Sequence, residues 1–227
     1  MTAAGSLTSV FAEVSAWGPF FAVDTSTSPA QPWRPMRELL DDPAVLSGRV
    51  ADVRSFLAAG RAADQVAVRV AASVTQLGLV ARLLSPALGC AVHSGLFPVM
   101  DLAGLWWQPR LGSTFPLALP DPGTGTAQDL ISGPIRDLVR AMRVYSVSER
   151  VLWGNVASAI NGAATMIGTA RAAEVASQLL DLPPLRTTST RLADGRFRRR
   201  GCCLIYQASP DNRRAAVCGD CVLAGPA

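Results

Sequence analysis

Four of the five cysteines in this 227-residue chain fall within a 20-residue stretch: Cys202, Cys203, Cys218 and Cys221. The second pair, Cys218-Gly-Asp-Cys221, is a C-x2-C turn. Both thiolates of such a turn can converge on one metal, and its glycine lets backbone amides face the sulfurs. The first pair is adjacent in sequence. Neighbouring side chains of a strand point to opposite faces, so joint ligation requires a bend, which Gly201 is expected to permit. Four thiolates suit either zinc or an iron–sulfur centre, and spacing alone does not choose between them. Zinc ribbons generally present two C-x2-C knuckles, a pattern that an adjacent pair fits poorly. A disulfide between neighbours would be a strained ring, unsuited to a reducing compartment.

Composition excludes several other chemistries. The chain contains no lysine, so all 21 basic residues are arginine. A P-loop and a pyridoxal phosphate Schiff base both need lysine. His93 is the only histidine, which excludes multi-histidine metal sites. It reads as an ordinary core or surface residue, since no G-x-S-x-G accompanies it. Cys90 lies in the apolar run Leu88-Gly-Cys-Ala-Val92 and reads as core packing. Gly123-Thr-Gly125 lacks the third glycine of a dinucleotide fingerprint. With no flavin or nicotinamide site evident, electrons for any redox chemistry are expected from another protein. The net charge of +4 is modest, and no nucleic-acid partner is expected. The densest basic run is Arg196, Arg198, Arg199 and Arg200, directly before the cysteines. Such a run is usually a solvated face. Beside a redox centre it could dock an acidic donor, so Arg198, Arg199 and Arg200 are candidates for that role. Trp153 and Asn155 are weaker docking candidates and read first as core and helix packing.

The elements that must position these residues are mostly helical. Leu7, Val10, Phe11, Val14 and Trp17 recur at helical spacing over 6–17, and Gly18-Pro19 ends the pattern. Phe20 to Val23 reads as a strand, and 24–35 as a Ser/Thr/Pro loop. Asp42-Pro43 is a cap followed by a first-turn proline, opening a helix that ends near Gly60. A longer helix is expected from Ala63 to Leu84, closed by Ser85-Pro86. Residues 104–119 read as a β-hairpin around 109–113, with Trp106-Trp107 as hydrophobic packing. Helices are expected again over 128–144, after a capping box at Ser146 and Glu149, and over 171–181 before Pro183-Pro184. Residues 186–200 read as a hairpin turning at Asp194-Gly195. The fold class is thus mainly α with a minor β component: a helical bundle with short hairpins and a C-terminal cysteine motif. Its expected organisation is a helical body over 1–185, with an internal break near 120–126, and a metal-binding segment over 186–227.

Residues 151–170 are uncharged and long enough to span a bilayer. Asn155, Ser158, Asn161, Thr165 and many small residues favour a buried, closely packed helix instead, so no integral span is expected. The chain start lacks a basic n-region, and Glu13 interrupts its apolar stretch, so no signal peptide is expected. The expected compartment is the reducing cytosol, compatible with a peripheral position at the inner face of the membrane.

The tail resembles the FhuF-type ferric siderophore reductase family. Cys202-Cys203-Leu-Ile-Tyr206 and Cys218-Gly-Asp-Cys221-Val-Leu match the family's ending, a Cys-Cys pair, a spacer and Cys-Gly-Asp-Cys. Upstream, Arg69-Val-Ala-Ala-Ser, Ala81-Arg-Leu-Leu-Ser-Pro, Leu105-Trp-Trp and Trp153-Gly-Asn-Val-Ala-Ser-Ala are similar to stretches in actinobacterial members. The 14-residue spacer between Cys203 and Cys218 is a few residues longer than usual, and Pro210-Asp211-Asn212 reads as the turn of a longer loop. The resemblance implies a [2Fe-2S] cluster on the four cysteines. It implies reduction of the Fe(III) held by a siderophore, with a ferredoxin or a separate reductase as donor. The rival expectations are an iron–sulfur relay or sensor with no substrate of its own, and a zinc-stabilised binding module.

Overall fold

The computed structural model describes residues 6–26, 32–209 and 217–223. The fold is mainly α with a minor β component. In chain order the helices are α1 (Leu7–Val14), α2 (Glu38–Asp41), α3 (Pro43–Ala58), α4 (Val68–Ser94), α5 (Ala127–Leu130), α6 (Arg136–Met142), α7 (Glu149–Ile167) and α8 (Ala170–Leu180). Short strands lie between and after them: β1 (Arg34–Pro35), β2 (Phe97–Pro98), β3 (Trp106–Trp107), β4 (Leu117–Ala118), β5 (Thr124–Gly125), β6 (Ser189–Arg191) and β7 (Phe197–Arg199).

The central element is α4, against which α1, α3, α7 and α8 all pack. One cluster of buried side chains runs from Leu7 to Phe197. Helix α1 contributes Leu7, Val10, Phe11 and Val14, the i, i+3, i+4, i+7 stripe of its sequence. Asp42 caps α3 by accepting a 2.8 Å bond from the Ala44 amide, with Pro43 at the first helical position. That helix ends on Ala59 in the left-handed region, φ 51°, followed by Gly60.

Three local expectations are corrected. Helix α4 does not stop at Ser85-Pro86 but runs on to Ser94. Proline in a helix interior costs about 3 kcal/mol. Burial of Ala87, Leu88, Cys90 and Ala91 beyond it offsets that cost. The run Phe20 to Val23 is not a strand. Its carbonyls find a guanidinium instead: the buried Arg82 donates to Phe20 O (2.6 Å), Ala22 O (2.8 Å) and Phe115 O (3.0 Å). Finally, Ser148 rather than Ser146 caps α7, its hydroxyl accepting from the Val151 amide, while Ser146 sits in the left-handed region that ends the preceding turn.

The hairpin expected over 104–119 is present: β3 pairs antiparallel with β4, Trp106 opposite Ala118, and β1 adds on the other side of β3. Trp107 is buried there and its indole Nε1 donates to Glu38 Oε1 at 3.0 Å. β5 pairs with β2. β6 and β7 form the late hairpin, with Gly195 at φ 81° in its turn. Residues 151–170 lie largely in α7, whose Leu152, Trp153, Asn155, Val156 and Ile160 are buried. Among the described residues, α4 is the helix long and apolar enough to cross a membrane, and 67% of its most apolar window is buried inside the fold.

Candidate metal centre

The two cysteine segments reach one patch by different routes. The first follows β7. Gly201 packs where an added Cβ would lie 3.1 Å from the Arg150 carbonyl oxygen, and Arg150 Nη2 donates to Arg200 O at 2.6 Å. The need for glycine at 201 is therefore close approach. The bend itself falls at Leu204, φ 69°, not at Gly201. The turn lets the Leu204 amide donate to Cys202 Sγ at 3.3 Å. Ser73 of α4 donates to the Cys203 carbonyl at 2.8 Å, and Arg61 Nη2 donates to Ala208 O at 2.6 Å. These bonds seat residues 203–208 on the N-terminal end of α4.

The second segment, 217–223, is held by β7 and α7. The Arg199 amide donates to Asp220 O (3.0 Å), Arg198 Nη2 donates to Val222 O (2.9 Å), and Ser158 donates to the Asp220 carboxylate. Inside the turn, the Cys221 amide donates to Cys218 O (3.0 Å) and the Leu223 amide to Cys221 Sγ (3.3 Å). The expected turn at Pro210-Asp211-Asn212 lies outside the described residues.

The result is a meeting of the two pairs: Cys203 Sγ stands 3.5 Å from Cys218 Sγ. Thiolates bound to one tetrahedral metal at about 2.3 Å would lie about 3.7 Å apart, so this spacing fits two ligands of one metal atom. Cys221 lies close enough to Cys202 to act on its charge. Among the described residues no group of three or more metal-ligating side chains surrounds a single point.

Electrostatics favour one negative charge, on Cys203. The hydrogen bond from Cys218 holds the Cys203 thiol down at about 6, against the opposing effect of burial, with the Ile205 amide and Arg199 acting in the same direction as that bond. The thiolate so formed keeps the Cys218 thiol protonated far above its ordinary range. Burial raises Cys202, opposed by the Leu204 amide and Arg199. Cys90, in the core of α4, is pushed up to about 12 by burial and stays a thiol.

Behind the cysteines lies a buried polar network. Arg199 is only 1% exposed. Its Nη2 donates to Asn155 Oδ1 at 2.6 Å, and its Nε, also buried, has no hydrogen-bond partner. Asn155 Nδ2 donates to Gln76 Oε1 (2.9 Å), Ser73 O (3.0 Å) and Ser73 Oγ (3.1 Å). Gly154 makes room for the guanidinium, since a Cβ there would lie 3.1 Å from Arg199 Nη2. Arg199 is therefore corrected from a solvated docking face to an internal role, since burial removes it from contact with a protein partner, and Asn155 lies in the interior, where its first reading as helix packing put it. Arg198 is half-buried and Arg200 exposed. Trp153 is 8% exposed and, with Arg150 and Arg200, lines a hollow of about 460 Å³.

A second hollow, of about 590 Å³, adjoins the cysteines. Cys218, Gly219 and Asp220 form one side; Ser158, Asn161 and the arginines Arg191, Arg196 and Arg199 are among its other walls. Ser73, Ser158, Gln76 and Asp220 escaped the sequence reading because their partners lie 62 to 130 residues away along the chain. Scans against protein-family models and against curated proteins found no match to this chain.

Proposed function

We propose that the protein is a one-electron reductase of ferric chelates, holding a [2Fe-2S] cluster on Cys202, Cys203, Cys218 and Cys221. The observation that carries the proposal is the 3.5 Å approach of Cys203 to Cys218, which joins two pairs separated by 14 residues. A two-iron centre takes its thiolates two to each iron, and the pairing of Cys203 with Cys218 supports that division. The amides of Leu204 and Leu223 donate to the sulfurs of Cys202 and Cys221, the kind of contact that tunes iron–sulfur potentials. The buried Arg199 guanidinium supports the same reading. An unpaired buried cation costs several kcal/mol, and negatively charged cysteine ligands compensate it.

When bound, such a cluster carries one electron at a time. The residues around it suit a ferric chelate as substrate. Hydroxamate and catecholate oxygens are hard donors that hold Fe(III) far better than Fe(II), so a single electron releases the metal. Arg191 and Arg196 offer positive charge, and Ser158 and Asn161 offer hydrogen bonds, in the hollow beside Cys218. A siderophore is the natural chelate of this type, and a ferredoxin or separate reductase the donor. The cytosol is the proposed compartment.

The protein purified without oxygen should contain about two irons and two acid-labile sulfides per chain and give an EPR signal when reduced. Cys90→Ser should leave the iron content unchanged, while Cys218→Ser or Cys221→Ser should lose it. The reduced protein mixed with a ferric hydroxamate should reoxidise and pass Fe(II) to a ferrous trap such as ferrozine. One zinc per chain and no sulfide would refute the cluster. A cluster that ignores every ferric chelate yet exchanges electrons with proteins would make the molecule a relay.

A further inference from the structure

A cavity of about 430 Å³ opens between α3, α4 and the loop that carries Phe115. It lies on a different side of α4 from the cysteines: Val74, Gly78, Leu79 and Arg82 line it, whereas Ser73 and Gln76 face the polar network. Its walls are mainly apolar, from Phe20, Val53, Leu57, Leu79 and Phe115. At its rim stand Phe56 and Leu111, 58% and 38% exposed, large apolar side chains left open to water.

One lining residue is out of character. Arg49 is 9% exposed, and its buried Nη1 has no hydrogen-bond partner. The guanidinium lies 5.6 Å from the Trp107 ring centre and 5.8 Å from that of Phe115. Ring faces hold a cation but leave its N–H groups unsatisfied. Asp52, one turn along α3, is exposed and acts on Arg49 through space, while burial lowers the guanidinium's pKa. Arg82, the other lining arginine, spends its donors on three carbonyls. A buried donor with no acceptor costs free energy that an anionic acceptor recovers. Nη1 is the fully buried nitrogen of a guanidinium that makes ring contacts but no hydrogen bond, a group that a carboxylate would satisfy.

We propose that this cavity is a binding site for a small apolar carboxylate, such as a medium-chain fatty acid, with its carboxylate on the Arg49 guanidinium and its hydrocarbon body against Phe20, Val53, Leu57 and Phe115. The site is independent of the cysteines and of the redox reading.

Arg49 also borders a neighbouring hollow of about 330 Å³ with Gly48, Asp52 and Trp107. Two glycines separate the alternatives. An added Cβ at Gly78, which lines only the first cavity, meets nothing within 4 Å, and the same holds for Gly48 in the second. Both lie on helices where leucine is the better helix former, so neither Gly78→Leu nor Gly48→Leu should unfold the protein.

Titration calorimetry of the full chain with hexanoate, octanoate and octan-1-ol tests the site. Octanoate should bind saturably, about 15-fold tighter than hexanoate, from about fourfold per buried methylene. It should bind at least about tenfold tighter than the alcohol, as a hydrogen bond to a charged group requires. Arg49→Gln should erase the preference for acid over alcohol. Gly78→Leu should abolish binding and Gly48→Leu should not. The proposal is overturned by no saturable binding, by equal affinity for acid and alcohol in the unaltered protein, or by loss of binding in Gly48→Leu instead of Gly78→Leu.

Discussion

Asn155 is the residue on which the cysteine-facing side of α7 turns. It accepts the Arg199 charge on one atom and donates to Ser73 and Gln76 from the other. Replacing it with leucine strands a buried guanidinium and three acceptor atoms, so Asn155→Leu should cost about 2–4 kcal/mol in urea unfolding of the metal-free protein. Asn155→Ala should also be destabilising, since it leaves the same partners unmet. A second residue-scale prediction concerns protons. In the reduced, metal-free protein, thiolate absorbance near 240 nm should show one thiol titrating at about 6, because Cys218 donates to Cys203. Cys218→Ala should move that titration upward. The folded value lies below the ordinary thiol value of 9.0, so Cys203 contributes stability that is lost as pH falls through about 6, and the raised thiol of its partner Cys218 offsets that contribution above about 9. The turn of Cys218 and Cys221 was legible from spacing, because C-x2-C is a local object, whereas the approach of Cys203 to Cys218 spans a 14-residue spacer. The roles of Asn155 and Arg199 were not, because an arginine run looks the same whether one member is solvated or buried. Only the β7 register, which alternates Phe197 in, Arg198 half out and Arg199 in, decides it.

Among the elements, local signals served well where the chain's own hydrogen bonds decide and poorly where packing does. The Asp42-Pro43 helix start, the α1 stripe and the Asp194-Gly195 turn were readable because cap, periodicity and turn chemistry act within a few residues. Pro86 misled because burial of the turns beyond it outweighs the missing amide, and that burial comes from other helices. The strand expected at Phe20 to Val23 was lost to Arg82, a donor 60 residues away. One terminus offers a direct test. Ala59 ends α3 in the left-handed region, exposed, where an L side chain costs about 1 kcal/mol and glycine does not. Ala59→Gly should therefore raise the unfolding free energy by about 0.5–1 kcal/mol, read from the urea midpoint at unchanged slope.

On the scale of the whole molecule, accessible positive charge near the cysteines includes, among the described residues, Arg191, Arg196 and Arg200, all exposed, whereas Arg199 is buried. An acidic electron donor would be steered by these groups. Arg196→Ser combined with Arg200→Ser should slow reduction of the loaded protein by such a donor at low ionic strength. Added salt should remove most of the difference, since exposed charges are screened over about 10 Å at 0.1 M. A slowing that persists at high salt would instead mark a change in potential. The two halves of the cysteine patch also differ in when they come into being. Cys202 and Cys203 follow the whole helical body in chain order, and their seat, Ser73 on α4, is already made when they emerge. Cys218 and Cys221 are added only after about one to three further seconds of synthesis at 5–20 residues per second. The whole helical body is therefore synthesised before the second pair exists, and a chain interrupted inside the spacer carries Cys202 and Cys203 without Cys218 and Cys221.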